Sequence, residues 1–172
     1  MANLITASEV ISKAFTNSNT DTALIKDSFI DIAMYNHLRP VIGEDLYNLI
    51  VSEKNANVVW SLTATCVTTT DSATVTSTTA FTSGAKNWYA EGVGIPMFKD
   101  GYSTDENNHY TKIITFTDSS NITLNATANA NATSITLYSP IGYLVEKYIK
   151  DLLAFAVKFE VLPDMTYNST SQ

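Results

Sequence analysis

The side chains best suited to chemistry in this chain are two histidines, one cysteine and one acidic loop. The stretch "KDGYSTDENNHY" brings Asp100, Asp105, Glu106 and His109 close together in sequence, four side chains able to hold a cation. Their spacing is not that of a calcium-binding helix–loop–helix, and the Gly and Asn around them suit a solvated hairpin loop. Cys66 falls in alternate register with Trp60, Leu62 and Ala64, where a thiol reads as a small buried hydrophobe rather than a nucleophile. His37 lies near an expected helix end, a place where a polar or cationic ring suits the helix dipole. Phosphate-binding, serine-hydrolase, zinc-protease and dinucleotide motifs are all missing, and "EGVGIP" has no helix after its glycines to cradle a phosphate. The expectation is therefore a protein that is not an enzyme, with no cofactor and no metal. Trp88, Tyr89, Phe98 and Tyr102 crowd the same loop; they serve either as plugs of a small β core or as a platform for carbohydrate.

Composition narrows the classes further. Apolar residues make up 45% of 172, enough for a buried core, and the formal net charge of -7 is spread without a run of like charges. A nucleic-acid groove needs a basic stripe, which is lacking. A single cysteine excludes an intrachain disulfide. No stretch approaches the about 18 apolar residues that span a bilayer, and "MANLITASEVISKAF" lacks the pattern of a secretion signal, so a chain made in a cytoplasm without a membrane partner is expected. Asn121, Asn125, Asn131 and Asn168 open formal glycosylation triplets, as an Asn- and Thr-rich segment does by chance.

The texture of the chain changes twice. Residues 58–139 hold 18 threonines and only 9 charged residues. Threonine suits a pleated surface, and charged straight side chains suit helix surfaces, so a β-rich insertion inside a helical domain is predicted. The fold class is α+β: a small antiparallel bundle of about four helices, residues 1–57 and 139–172, interrupted by a barrel- or sandwich-like all-β domain over 58–138.

The helices come with start and stop signals. Thr6 and Glu9 form a capping box before Val10, Ile11, Ala14 and Phe15. Asp21 or a neighbouring Thr caps a second helix with Leu24, Ile25, Phe29, Ile32 and Ala33 on its apolar face, which must stop before Pro40. A third restarts at Gly43 with Glu44 and Asp45 in its first turn and Leu46, Leu49 and Ile50 buried. The corner between them is expected to keep Leu38, Val41 and Ile42 inside. The last helix opens with Ser139 and Pro140 and runs Ile141, Leu144, Val145, Tyr148, Ile149, Leu152, Leu153, Ala156 and Phe159 along one face, ending before Pro163. Within the insertion "WSLTATC", "SATVTST", "YTKIITF", "NITLN" and "SITLY" read as strands, with "TDSSN" as a turn.

In their order and their corner, these helices resemble the head–tail adaptor, or connector, proteins of tailed bacteriophages. The likeness covers residues 1–56 and 139–165 and is carried by Leu38, Pro40, Ile42, Gly43, Leu46 and Tyr47 in "HLRPVIGEDLYNLI". The insertion resembles small β modules of phage structural proteins in "FTSGAKNW" and "ITLNATA", and departs from the plain adaptor pattern. The resemblance implies a virion protein of the neck, assembled in the host cytoplasm as a ring of about a dozen copies. Its partners would be the portal protein, the next neck or tail ring protein and passing DNA held without tight binding. It also implies a C-terminal segment that docks on the portal, here Pro163, Asp164, Met165, Thr166, Tyr167 and Asn168, polar and expected to order on contact. The final Gln172 closes a phrase that could continue. The alternative from a different class is a carbohydrate- or host-surface-binding β module on a helical scaffold. The Pro40–Gly43 corner is expected to set helices at an angle and shape a wedge that tiles a ring.

Overall fold

A computed structural model describes residues 3–16, 20–64, 66–77, 88–92, 98–99, 102–103, 109–125, 127–128, 131–133 and 135–169; the side chains of 62–64, 66, 90–92, 98–99, 102–103, 109–114, 135 and 164–169 are not described. The chain is mixed α+β and separates into two compact units, Met1–Val58 with Leu144–Gln172, and Val59–Tyr143.

In the helical unit, α1 (Ala7–Ala14) starts on the expected capping box: the Thr6 hydroxyl accepts from the Glu9 amide, and the Glu9 carboxylate accepts from the Thr6 amide. Asp21 caps only a short 3-10 turn, Thr22–Leu24, and α2 (Asp27–Ala33) begins later with no side-chain cap. That offset rotates the expected face. Ile30, Ala33 and Met34 are buried, whereas Leu24 and Ile32 are exposed.

The helix does not stop at Pro40. It passes through a π-turn, Met34–Leu38, into α3 (Arg39–Ile42) and breaks at Gly43. A π-turn carries one extra residue and moves the amide partner from i−4 to i−5, as the Arg39 amide shows by donating to the Met34 carbonyl. A widened turn relieves the clash between a proline ring and the carbonyl four residues back, and the missing Pro40 donor falls where the ladder changes register. Gly43 has φ 83° and ψ 158°, a region that side chains with a Cβ avoid. Its amide closes α3 on the Arg39 carbonyl and its own carbonyl opens α4 (Glu44–Asn55). Leu38 is buried as expected, but Val41 is exposed, and in α4 the inward positions are Tyr47 and Ile50 while Leu49 faces out.

In the β unit, β1 (Ser61–Ala64), β2 (Cys66–Thr68), β3 (Thr74–Ser77), β4 (Tyr89–Gly92), β7 (His109–Asp118), β8 (Asn121–Leu124) and β9 (Ile135–Tyr138) make an antiparallel sheet in the order β1-β9-β4-β7-β8-β3-β2; β5 (Phe98–Lys99) and β6 (Tyr102–Ser103) form a separate hairpin. The single strand expected over "WSLTATC" is thus divided, and its halves stand at opposite edges of the sheet. Among the described residues no pairing joins β1 to β2, so the ladder is not closed. Alternation holds where side chains are described: Val75 and Ser77 on β3, and Ile122 and Leu124 on β8, point inward. The turn expected at "TDSSN" joins β7 and β8; the Asp118 carboxylate accepts from the Ser120 amide at 2.7 Å and from the Asn121 side chain, which holds its pKa below the ordinary value.

Ser139 caps α5 (Pro140–Leu144) as expected, its hydroxyl accepting from the Gly142 amide at 3.0 Å. Within the β unit Gly142 lies against the Trp60 backbone, Tyr143 stacks on Tyr89 at 4.6 Å, and the Ser139 amide donates to the Trp60 carbonyl. A second π-turn, Val145–Ile149, leads into α6 (Lys150–Ser169). Its extra residue shifts the phase of the final helix. The buried series is Val145, Ile149, Leu153, Ala154, Val157 and Val161, and Tyr148, Leu152 and Phe159 are turned outward. Pro163 lies inside α6 instead of ending it. Pro163 and Phe159 are both on the exposed side, where the Phe159 carbonyl that lost its donor can tilt into water.

Candidate functional site

The corner is built from the second helical stretch and α4. Leu38 and Tyr47 anchor it inside, 0% and 4% exposed, while Ile42 and Leu46 are half-buried. Burial, joined by the charge of Asp31, pushes the Tyr47 hydroxyl above its ordinary pKa. Outside, a groove runs along the helix from Asp31, Ile32, Tyr35 and Asn36 to Arg39, Pro40, Gly43 and Glu44. The Arg39 guanidinium donates to the Glu44 carboxylate at 2.6 Å, which raises its pKa, and lies 4.8 Å from the centre of the Tyr35 ring. Arg39 thereby straps the two helices across Gly43 on the solvent side. The Asp31 Oδ1 atom is buried and has no hydrogen-bond partner among the described residues.

A second cluster joins α1 to α6. The Lys150 ammonium donates to Glu9 at 2.6 Å and sits 2.7 Å from Glu146. Burial lowers the Lys150 pKa, but the two carboxylates outweigh it and the net shift is upward. Burial likewise raises Glu9, and the Lys150 ammonium and the Thr6 amide and hydroxyl more than offset it, so its pKa lies below the ordinary value. Lys13 pairs with Asp151 at 2.6 Å, and the Lys158 ammonium donates to the Ala14 carbonyl beside the Phe15 ring. His37 contacts the Glu160 carboxylate at 2.7 Å and meets Phe159 edge-on. Its ring is a tie between helices. These ties were not foreseen from the sequence, because their members are 123 to 144 residues apart.

The outward face of the last helix is the third feature. Tyr148, Leu152, Phe155, Phe159 and Leu162 are 58%, 39%, 60%, 67% and 42% exposed. They follow one another at alternating steps of four and three. That spacing could have been read from the sequence, but it interleaves with the buried series and was merged into it.

Among the other expected positions, Asp100, Asp105 and Glu106 lie outside the described residues, as do the side chains of His109, Cys66, Phe98 and Tyr102. His109 is placed on β7 opposite Gly92, and Cys66 on β2 opposite Ser77. Trp88 and Tyr89 are half-buried, and the Tyr89 ring is spent on Tyr143. Pro163 is exposed; the backbone of Asp164, Met165, Thr166, Tyr167 and Asn168 continues α6, in contrast to the unstructured tail expected. Among the described residues no group of three metal-capable side chains converges, and no helix is long and apolar enough to cross a membrane. Comparison with protein-family models, curated proteins and solved structures finds no match.

Proposed function

We propose that this chain is a structural protein of the neck of a tailed bacteriophage, a non-enzymatic subunit of a ring that joins the portal to the next neck or tail protein around the DNA channel. The observation that carries the proposal is the corner: one Gly43 residue ends α3 and begins α4, and the residues that carry the adaptor resemblance sit on both sides of it. Two helices joined by a single residue, with Tyr47 buried and Arg39 strapped to Glu44, give a fixed bend of the kind a ring subunit needs. The net charge of -7 suits a channel that DNA slides through, since grip would need unpaired Lys and Arg. The β unit is a module carried on this subunit. Because β1 and β2 are one residue apart yet occupy opposite edges of the sheet, we read it as barrel-like.

The test is negative-stain electron microscopy of the purified chain over a concentration series. Rings of about a dozen subunits with a central hole are expected. A closed dimer or tetramer without a channel would defeat the proposal.

A further inference from the structure

The helical unit has two apolar faces, both turned outward, and they differ in charge. Along the last helix the buried face carries Leu153, Ala154, Val157 and Val161, and the opposite face carries the stripe from Tyr148, in the π-turn, to Leu162 on α6. Its four–three alternation is the period at which one helix packs along another. With about 200 Å² for a fully exposed aromatic side chain, the stripe leaves about 500 Å² of apolar surface bare, near the upper end for a typical monomer. On α2 the buried face carries Ile30, Ala33 and Met34, and the opposite face carries Ile32 and Tyr35, leading to the exposed Pro40.

The charges around the two faces are complementary. Beside the stripe, Asp151 is neutralised by Lys13 and Glu160 faces His37, while the described partners of Lys158 are a carbonyl and a ring, both uncharged. Along the groove, Arg39 is matched by Glu44. Among the described residues the exposed Asp27 carboxylate is held by the neutral Asn3 amide, whereas the partnerless Asp31 oxygen is buried. Among the described residues one face therefore carries a cation, Lys158, and the other a carboxylate, Asp27, whose partners are uncharged.

We propose that copies of this chain associate head to tail, the α6 stripe of one copy seating in the Asp31–Glu44 groove of the next, with Lys158 brought to Asp27. Self-pairing of two stripes would leave both grooves bare. Head-to-tail contact covers both faces with one interface, and the two sides together bury about 1,000 Å², the lower limit for a specific association. Unlike faces make a heterologous contact, which generates a ring or an open filament. The proposal deepens the ring reading and rests on it for closure.

The experiment uses the full chain with Phe155→Glu on the stripe and Ile32→Glu in the groove. Both positions are exposed, so each variant should match the parent in circular dichroism and urea midpoint. Sedimentation velocity should show each variant alone weakened in association by about tenfold or more. Mixed together they should form 1:1 dimers that do not grow, because one retains a good groove and the other a good stripe. Normal association of Ile32→Glu, a mixture that stays monomeric, or a parent chain that is monomeric throughout the series would overturn the proposal. Open filaments of the parent with complementing variants would keep the contact and remove the ring. Rings formed by both variants would keep the ring and remove the contact.

Discussion

Replacing Gly43 by alanine isolates the cost of the corner. A Cβ built on Gly43 meets no atom within 4 Å, so the substitution displaces nothing and its effect is confined to the backbone. The conformation at φ 83° and ψ 158° is almost exclusively glycine's, and holding another residue there costs about 1–3 kcal/mol. Alanine also stiffens the unfolded chain, which returns about 0.4–1 kcal/mol. The net loss is about 1–2 kcal/mol. With a urea dependence of about 2 kcal/mol per molar, the midpoint followed by helical circular dichroism should fall by about 0.5–1 M. Pro40→Ala should behave differently. It restores an amide where the ladder changes register, worth about 1 kcal/mol, and gives up a similar amount of unfolded-state restriction. Its midpoint should stay within about 0.3 M of the parent. If Gly43→Ala unfolds like the parent, or if Pro40→Ala is the more damaging of the two, then the corner is not held by the glycine conformation and the reasoning fails.

Other expectations concern each unit separately. A Cβ on Gly142 would collide with the Trp60 carbonyl oxygen and lie 2.9 Å from its carbonyl carbon, both backbone atoms. Gly142→Ala should destabilise the β unit by about 1–3 kcal/mol despite alanine's better helix propensity, read as lost protection of the Ser139 amide in hydrogen exchange; unchanged protection would contradict the contact. Leu153→Ala removes a fully buried side chain from the helical core and should cost about 2–5 kcal/mol in urea titration; a loss under about 1 kcal/mol would show that α6 is packed otherwise. The Glu9–Lys150 tie sets the response to pH. Glu9 is depressed, so its contribution is complete above the ordinary Glu range near about 4.3 and fades as pH falls through the folded value. Lys150 is raised, so its contribution is complete below about 10.4 and fades as pH rises through the folded value. Glu9→Gln should flatten the acid limb of a stability–pH profile; an unaltered acid limb would mean that the pair does not couple α1 to α6.

Local chemistry made much of this protein legible in its sequence. The Thr6–Glu9 capping box, the Ser139–Pro140 start, the "TDSSN" turn and the alternation in "SATVTST" and "NITLN" depend on neighbours within about four residues, and the corresponding elements formed as expected. The phase of the long helices was not legible. Each π-turn inserts one residue into the ladder, a cost repaid only by packing with distant helices. The insertion turned Tyr148, Leu152 and Phe159 outward although they share an apolar stripe with Val145 and Ile149 on an ideal helix.

The corner shows the division most plainly. From sequence alone, Pro40 and Gly43 mark a break, and their residue types determine that some bend occurs between Leu38 and Tyr47. Only the tertiary structure decided which residue makes it. Packing of Met34 and Leu38 into the core stabilises the widened turn that accommodates Pro40, and so moves the break three residues on to Gly43. The same holds for the sheet, where "WSLTATC" determined extended chain but its division between opposite edges came from partners more than sixty residues away on β9 and nearby on β3. Backbone preference is set within a few residues of each position; pairing and helix phase depend on surfaces that exist only once the chain has folded.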